Sequence, residues 1–141
     1  MQSKIFIDTN VFLRFLIVDE KTPQSSIKAK EIFSLLQNRK VLLQTNTLIV
    51  AEIVYVLESY YELPKLDIKE LLLPILSLPN LIIKDKPIVL AALSLFVEKN
   101  IDFEDAYTYF DMLNEEISKI VTFDEKHFSR LENISVISAV E

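Results

Sequence analysis

The sequence predicts an α/β fold of three layers, α/β/α, around a mostly parallel central sheet of about five strands. Short apolar runs rich in β-branched residues, such as residues 5–7 and 81–83, alternate with longer segments whose apolar residues recur at helical spacing. Parallel strands need such helical crossovers, and these are right-handed. The chain has 141 residues, of which 50% are hydrophobic and 26% charged, so we expect a single globular domain over residues 1–141.

Local signals place the elements in order along the chain. Residues 5–7 are apolar throughout, which is typical of a central strand buried on both faces. Proline at a first helical position marks the helices that start near Pro23 and Pro87, Asp102 caps another, and Asn100 closes the helix before it. The predicted strands are residues 5–7, 41–44, 81–83, 119–122 and 134–137. The predicted helices are residues 22–36, 48–61, 67–76, 88–99, 103–114 and 125–130, with one more that begins near residue 11.

Composition excludes several classes of protein. The chain has no cysteine, which removes disulfides and thiolate metal sites and fits a reducing compartment. Lys4 and Asp8 interrupt any signal-peptide core, and the apolar tract 71–83 contains two prolines and is too short to span a bilayer. We therefore expect a cytoplasmic protein without membrane association. The chain has no glycine, so a glycine-rich phosphate loop is excluded and turns must use Asn, Asp, Pro and Ser.

The net charge of −6 lies entirely in the second half of the chain. Residues 1–70 carry nine basic and nine acidic side chains, whereas residues 71–141 carry six and twelve. Nucleic-acid binders usually have a basic footprint, so this balance argues mildly against one. It argues less against a protein whose carboxylates hold cations, because the metal then supplies the positive field.

Two aspartates follow predicted strands directly. Asp8 ends the first strand, and Asp124 ends the late strand taken as residues 120–123. Ligands of open α/β sheets bind outside the carboxyl ends of the strands, and two parallel neighbours would bring both carboxylates to one edge. The alternative is that each aspartate merely caps the helix after it.

Two further acids occupy helices. Glu52 interrupts a segment that is apolar nearly all round, where an unpaired glutamate is rare, so metal ligation is favoured. The alternative is a narrow solvent-facing stripe with Tyr55 and Ser59, or a lysine partner. Asp105 shares a helix side with apolar residues, while for Asp102 the role of helix cap is favoured.

Together, Asp8, Glu52, Asp105 and Asp124 would form an acidic pocket. Four ionised carboxylates at close range repel one another, so one must be protonated or a cation must bind. Oxygen ligands suit Mg²⁺, with Mn²⁺ as an alternative. Such ions lower the pKa of a bound water and clamp the oxygens of an in-line phosphoryl displacement.

These residues resemble a known family. Asp8-Thr9-Asn10, Glu52, the segment 102–106 and the segment 122–128 are similar to the signature blocks of PIN domains, in the same order along the whole chain. The run from Asp8 to Arg14 is especially similar to the opening of VapC toxins from toxin–antitoxin pairs. The resemblance implies a metal-dependent endoribonuclease that leaves 3′-hydroxyl and 5′-phosphate ends.

The resemblance also implies roles and partners. Asp8, Glu52, Asp105 and Asp124 would be the catalytic, metal-binding quartet. Asn10 would orient Asp8, Thr9 and Thr122 would support the acids or contact substrate, and Arg14 is the best candidate for a phosphate-binding cation. A homodimer and a small antitoxin that occupies the active groove are expected partners. His127 is expected to pack or hydrogen-bond rather than to catalyse. Relatives often carry a glycine before the late strand, whereas here residues 114–119 must make that turn.

Other functions remain open at this point. A housekeeping nuclease of the same fold that processes RNA has the same sequence features. A receiver-like signalling domain would need paired carboxylates after the first strand and a lysine after the fifth, and the chain has neither. A non-catalytic, protein-binding module would not need all four acids.

Overall fold

The structure, a computed structural model, describes residues 3–18, 20–38 and 40–137. Within these residues it is an α/β fold with five strands, all paired in parallel, and seven α-helices. The strands are β1 (Ser3–Phe6), β2 (Val41–Thr45), β3 (Leu81–Ile83), β4 (Lys119–Val121) and β5 (Ser135–Ile137). The helices are α1 (Thr9–Leu16), α2 (Pro23–Ser34), α3 (Thr47–Ser59), α4 (Lys65–Leu76), α5 (Lys86–Glu98), α6 (Phe103–Asn114) and α7 (Glu125–Phe128), with a 3-10 turn at Leu35–Gln37.

The chain divides into two compact units, residues 1–86 and residues 87–141. The first unit contains a three-stranded parallel sheet in the order β1-β2-β3. The second contains the parallel pair β4-β5. That one domain covers the whole chain stays a prediction.

Within the first sheet β2, not β1, is the central strand. The expectation that residues 5–7 are buried on both faces is therefore wrong for Ile5 and Phe6, which are 40% and 52% exposed. Only Ile7, just after the strand, is buried. An apolar run indicates a strand, but it does not tell which strand has neighbours on both edges.

Helices cover the first sheet with a core of large aliphatic and aromatic side chains. Phe12 of α1, Leu43 of β2, Ile53 of α3 and Leu72 of α4 are fully buried. The ring centroids of Phe12 and Phe33 lie 5.1 Å apart and join α1 to α2. Burying side chains of this size stabilises the unit by about 1.5–3 kcal/mol each, before the entropy of ordering them is subtracted. This core fixes the helix starts that follow β1 and β2.

In the second unit α6 is the best-predicted helix, since its observed bounds coincide with residues 103–114. Its buried face contains Phe103, Ala106 and Met112, and Tyr109 donates a hydrogen bond of 2.8 Å to the carbonyl of Glu132. Burial and the charge of Glu132 raise the pKa of Tyr109 above its ordinary value of 10.0.

Glutamate takes left-handed positions in this glycine-free chain. Four described residues have positive φ, namely Glu62, Asn100, Glu116 and Asn133. Asn100 ends α5 as expected, because asparagine tolerates this conformation. Positive φ was not expected at Glu62 and Glu116. A residue other than glycine in this conformation lowers the free energy of unfolding by about 1–2 kcal/mol relative to glycine. Glu116, with φ of 59°, lies in the turn before β4, which this chain forms without a glycine.

Two predictions about helix ends need correction. The helix expected to start at Asp67 begins at Lys65 behind Pro64, so Asp67 lies inside its first turn. The helix expected from residue 88 begins at Lys86, whose ammonium donates hydrogen bonds of 2.6 and 2.8 Å to the carbonyls of Leu78 and Leu81. Burial lowers the pKa of Lys86 from its ordinary value of 10.5. No helix in the described part of the chain is long and apolar enough to cross a membrane.

Candidate metal centre

Asp8 and Glu52 are brought together in the first unit through Thr9. Asp8 is the N-cap of α1, and its Oδ1 accepts a hydrogen bond of 2.8 Å from the backbone N–H of Thr9. The buried hydroxyl of Thr9 donates a hydrogen bond of 2.8 Å to Oε2 of Glu52, 43 residues further along the chain. We call Asp8, Thr9 and Glu52 the Thr9 cluster. One residue thus holds both carboxylates, one through its backbone and one through its side chain.

The strand ends explain why these groups meet. Ile7 donates a backbone hydrogen bond of 2.8 Å to the carbonyl of Gln44, so β1 and β2 end side by side. The buried hydroxyl of Thr45 donates to the carbonyl of Ile7 at 3.1 Å, which fixes the two chain exits. Asn46 then caps α3 by accepting from the N–H of Ile49 at 3.0 Å. The helix so started presents Glu52 to Thr9.

Glu52 is not surrounded by apolar neighbours. The expectation of a largely buried helix is wrong on one face, because Leu48, Glu52, Tyr55 and Ser59 form an exposed stripe on α3. The solvent-facing stripe considered as an alternative is therefore present. It does not remove the chemical interest of Glu52, since one of its oxygens accepts from Thr9 and a carboxylate can bind a cation through its other lone pairs.

In the second unit, a histidine joins two of the predicted acids. Nδ1 of His127 lies 3.1 Å from Oδ2 of Asp105 and 3.2 Å from Oδ2 of Asp124. An ionised carboxylate only accepts hydrogen bonds, so these contacts are hydrogen bonds in the tautomer of His127 that carries a proton on Nδ1. We call Asp102, Asp105, Asp124 and His127 the His127 cluster. The expectation that His127 forms hydrogen bonds is confirmed.

Asp102 is the member that sequence reasoning assigned differently. It is the N-cap of α6 by position, but its side chain makes no capping hydrogen bond. Instead a carboxylate oxygen of Asp102, one of Asp105 and a ring nitrogen of His127 all lie within 4.8 Å of one another. Asp124 likewise precedes α7 without a side-chain cap, and its backbone N–H donates to Oγ1 of Thr122 at 2.9 Å. The motif Asp-x-x-Asp was the available signal for Asp102, but it fits a cap equally well.

The donor set fits a hard divalent cation. The carboxylate oxygens of Asp102 and Asp105 and a ring nitrogen of His127 lie within 4.8 Å of one another, so these three residues could hold one cation. Carboxylate oxygens suit Mg²⁺, whereas direct ligation by imidazole would favour Mn²⁺ or another transition metal. In the first case His127 positions the carboxylates from outside the coordination sphere.

The remaining predicted residues lie near these clusters without a shared role. Asn10 is exposed, and the hydrogen bond that holds Asp8 comes from Thr9. Arg14 is half-buried one turn further along α1. That Asn10 orients Asp8, and that Asp8, Glu52, Asp105 and Asp124 form one site, stay predictions.

A comparison with known protein families decides the family. The model of the PIN domain matches residues 5–134. The chain belongs to the PIN domain family. The match covers both clusters and includes all four predicted acids. No curated protein matches the chain.

PIN domains are typically metal-dependent nucleases, and this PIN domain has an acidic group in which a metal could bind. Membership confirms the family part of the resemblance and the α/β fold. It does not distinguish a VapC toxin from other PIN domains, and it does not identify the ion.

Proposed function

We propose that this PIN domain is a Mg²⁺-dependent endoribonuclease that cuts RNA phosphodiester bonds to leave 3′-hydroxyl and 5′-phosphate ends. The observation that carries the proposal is the triad of Asp102, Asp105 and His127 in a chain of this family. Asp8, Glu52, Asp105 and Asp124 are the proposed catalytic and metal-binding residues, and Asp102 is a further candidate ligand.

Mg²⁺, or Mn²⁺ in its place, supplies an acidified water and neutralises charge on the phosphate. Other side chains of the protein orient the acidic residues. Thr9 donates to Asp8 and Glu52, and Nδ1 of His127 faces Asp105 and Asp124. These contacts fix the orientations of the carboxylates and of the imidazole ring before an ion binds, which raises the affinity for the ion.

The proposal is tested by incubating the purified chain with total RNA and with a single-stranded oligonucleotide. Cleavage should need Mg²⁺ or Mn²⁺, stop in excess chelator, and produce ends that a 5′-phosphate-dependent exonuclease accepts. Asp105→Asn is the matched inactive control, since it removes a charge and keeps the shape. Activity that survives the chelator would contradict metal dependence, and the absence of any cleavage would contradict the nuclease proposal.

We further propose that the enzyme is the toxin of a toxin–antitoxin pair, working as a homodimer in the cytoplasm and silenced by a small antitoxin. The similarity of the run from Asp8 to Arg14 to VapC openings supports this part. A housekeeping RNA-processing enzyme is the alternative within the same chemistry.

Induced expression separates the two roles. The toxin should arrest growth, Asp8→Asn should not, and co-expression of the product of a neighbouring small gene should restore growth. Light scattering on the purified chain measures the oligomeric state. Unimpaired growth at high expression of active enzyme would favour the housekeeping role.

A further inference from the structure

A basic groove lies between α1 and α2 of the first unit. It has a volume of about 320 Å³, and its polar lining comes from Asn10 and Arg14 on α1 and from Ser25 and Lys28 on α2. The other three lining residues are apolar, and none of the described residues that line it is acidic. We call it the Lys28 groove. In a chain of net charge −6, it is a local concentration of positive charge.

The acidic residue of α2, Glu31, is not part of the Lys28 groove. It lines a second depression on α2 together with Lys28. Lys30, two residues from Lys28 on the same helix, lines an apolar groove with Phe33 and Ile75 instead. Two exposed lysines of one helix therefore border different surfaces, and only one of them borders the basic groove.

The groove begins beside the Thr9 cluster. Asn10 is the second residue of α1 and follows Asp8 and Thr9 directly. Arg14 lies four residues further, on the same face of the helix and about 6 Å along its axis. The groove therefore leads away from the end of β1, where Asp8 caps α1, along the contact of α1 with α2.

The chemistry of the lining matches an RNA backbone phosphate. A guanidinium forms paired hydrogen bonds to phosphate oxygens, an ammonium adds a point charge, and hydroxyl and amide groups donate to the same oxygens. Clustered carboxylates repel an RNA strand, so an enzyme of this kind needs cationic contacts away from the bond that it cuts.

We propose that the Lys28 groove binds a backbone phosphate of the RNA strand next to the phosphate that is cleaved, with Lys28 and Ser25 as substrate-positioning residues alongside Arg14. This inference rests on the proposed ribonuclease function. It adds a subsite on α2, and it makes recognition there independent of base sequence, because phosphates carry no base information.

The test compares Lys28→Gln with Lys30→Gln, which make the same charge change on the same exposed helix. Cleavage of oligouridylate and oligoadenylate of about 12 nucleotides is measured between about 50 and 200 mM KCl. Lys28→Gln should raise KM about fivefold on both substrates with kcat nearly unchanged. The slope of log KM against log salt should fall by about 0.7, the value for one lost single-strand phosphate contact. Lys30→Gln should have the same KM and the same salt dependence of KM as the wild type.

Neutral methylphosphonate linkages then locate the phosphate. Placed one at a time on either side of the cleaved bond, one linkage should raise KM for the wild type and have no further effect on Lys28→Gln. Equal behaviour of the two lysine variants in an active enzyme would overturn the groove assignment alone. A wild-type chain that cuts no RNA would overturn the ribonuclease proposal and this inference together.

Discussion

The two acidic clusters hold their carboxylates by different means. In the Thr9 cluster a buried threonine donates to Asp8 and Glu52 through two separate atoms, and both bonds are 2.8 Å long. In the His127 cluster a half-buried imidazole presents one nitrogen to Asp105 and Asp124, at 3.1 and 3.2 Å. A hydroxyl and an amide can each serve one acceptor fully, whereas a single N–H shared between two acceptors serves each less well.

The difference predicts how each cluster responds to an ion. The Thr9 cluster is held by two short hydrogen bonds from neutral donors and should change little when a cation binds. The His127 cluster holds its acids with a shared, longer contact, so an ion can replace that contact at small cost. We therefore expect the Thr9 cluster to be the more rigid of the two and the His127 cluster to be the more adaptable.

The largest expected effect comes from removing one acid of each cluster. Asp8→Asn and Asp105→Asn should each lower single-turnover cleavage by about 100-fold to 1,000-fold, since each removes several kcal/mol of charge stabilisation. Asparagine caps a helix as well as aspartate does, so α1 should remain folded in Asp8→Asn. If the clusters form one catalytic centre, the double variant should cleave about as fast as the slower of the two single variants. Multiplied losses would mean that the two acids contribute independently to the rate and contradict a coupled centre.

Thr9→Val tests the rigid cluster. Valine keeps the buried volume but removes the hydroxyl that donates to Glu52, so cleavage should fall about 10-fold to 100-fold. Thr9→Ser keeps the donor and should stay within a few-fold of the wild type. A thermal melt checks that both variants remain folded. Equal losses in the two variants would show that packing, not the hydrogen bond, matters at Thr9.

His127→Gln tests the adaptable cluster, with a smaller effect. Glutamine keeps a donor near Asp105 and Asp124, so we expect a loss of about tenfold or less. The ratio of Mn²⁺-supported to Mg²⁺-supported cleavage distinguishes the two roles of the imidazole. An unchanged ratio indicates that His127 only orients the carboxylates, and a shift toward Mg²⁺ indicates that its nitrogen binds the ion.

The left-handed glutamates allow a comparison of stability between the units. Glu116→Gly in the second unit and Glu62→Gly in the first should each raise the free energy of unfolding by up to about 1 kcal/mol, because glycine adopts positive φ without strain. Glu115, with φ of −90°, is the matched control. Glu115→Gly should instead lower stability by about 0.5–1 kcal/mol. Urea unfolding measures all three.

The smallest effects concern alkaline pH, where the units should respond in opposite directions. Tyr109 has a raised pKa, so its unfolded form loses the proton first and the free energy of unfolding falls as pH rises through 10.0. Lys86 has a lowered pKa, so its contribution to stability increases as pH rises toward 10.5. Urea unfolding between about pH 8 and 11 measures both effects. Tyr109→Phe should no longer show the fall in the free energy of unfolding, and Lys86→Met should no longer show the rise. An unchanged pH profile in both would contradict these assignments.

Local signals were enough for most of the secondary structure. The bounds of α6 and of β3 came out as predicted, because a cap residue, a proline turn and a clear apolar period mark them. The order of the acidic blocks also led to the family that residues 5–134 match. The burial of Ile5, Phe6 and Glu52 was predicted wrongly, since a pattern of apolar residues does not say what packs against each face.

The α/β class, the helix and strand types and the candidate acids could be predicted without a structure, because they follow from short-range periodicity and from residue chemistry. The contacts of Thr9 with Glu52 across 43 residues and of His127 with Asp105 across 22 residues could be found only in the folded molecule. The same holds for Asp102, which lies in the His127 cluster and makes no capping hydrogen bond with its side chain. Such contacts depend on how separated elements pack, and the direction of a single side chain is fixed by that packing rather than by its neighbours in the chain.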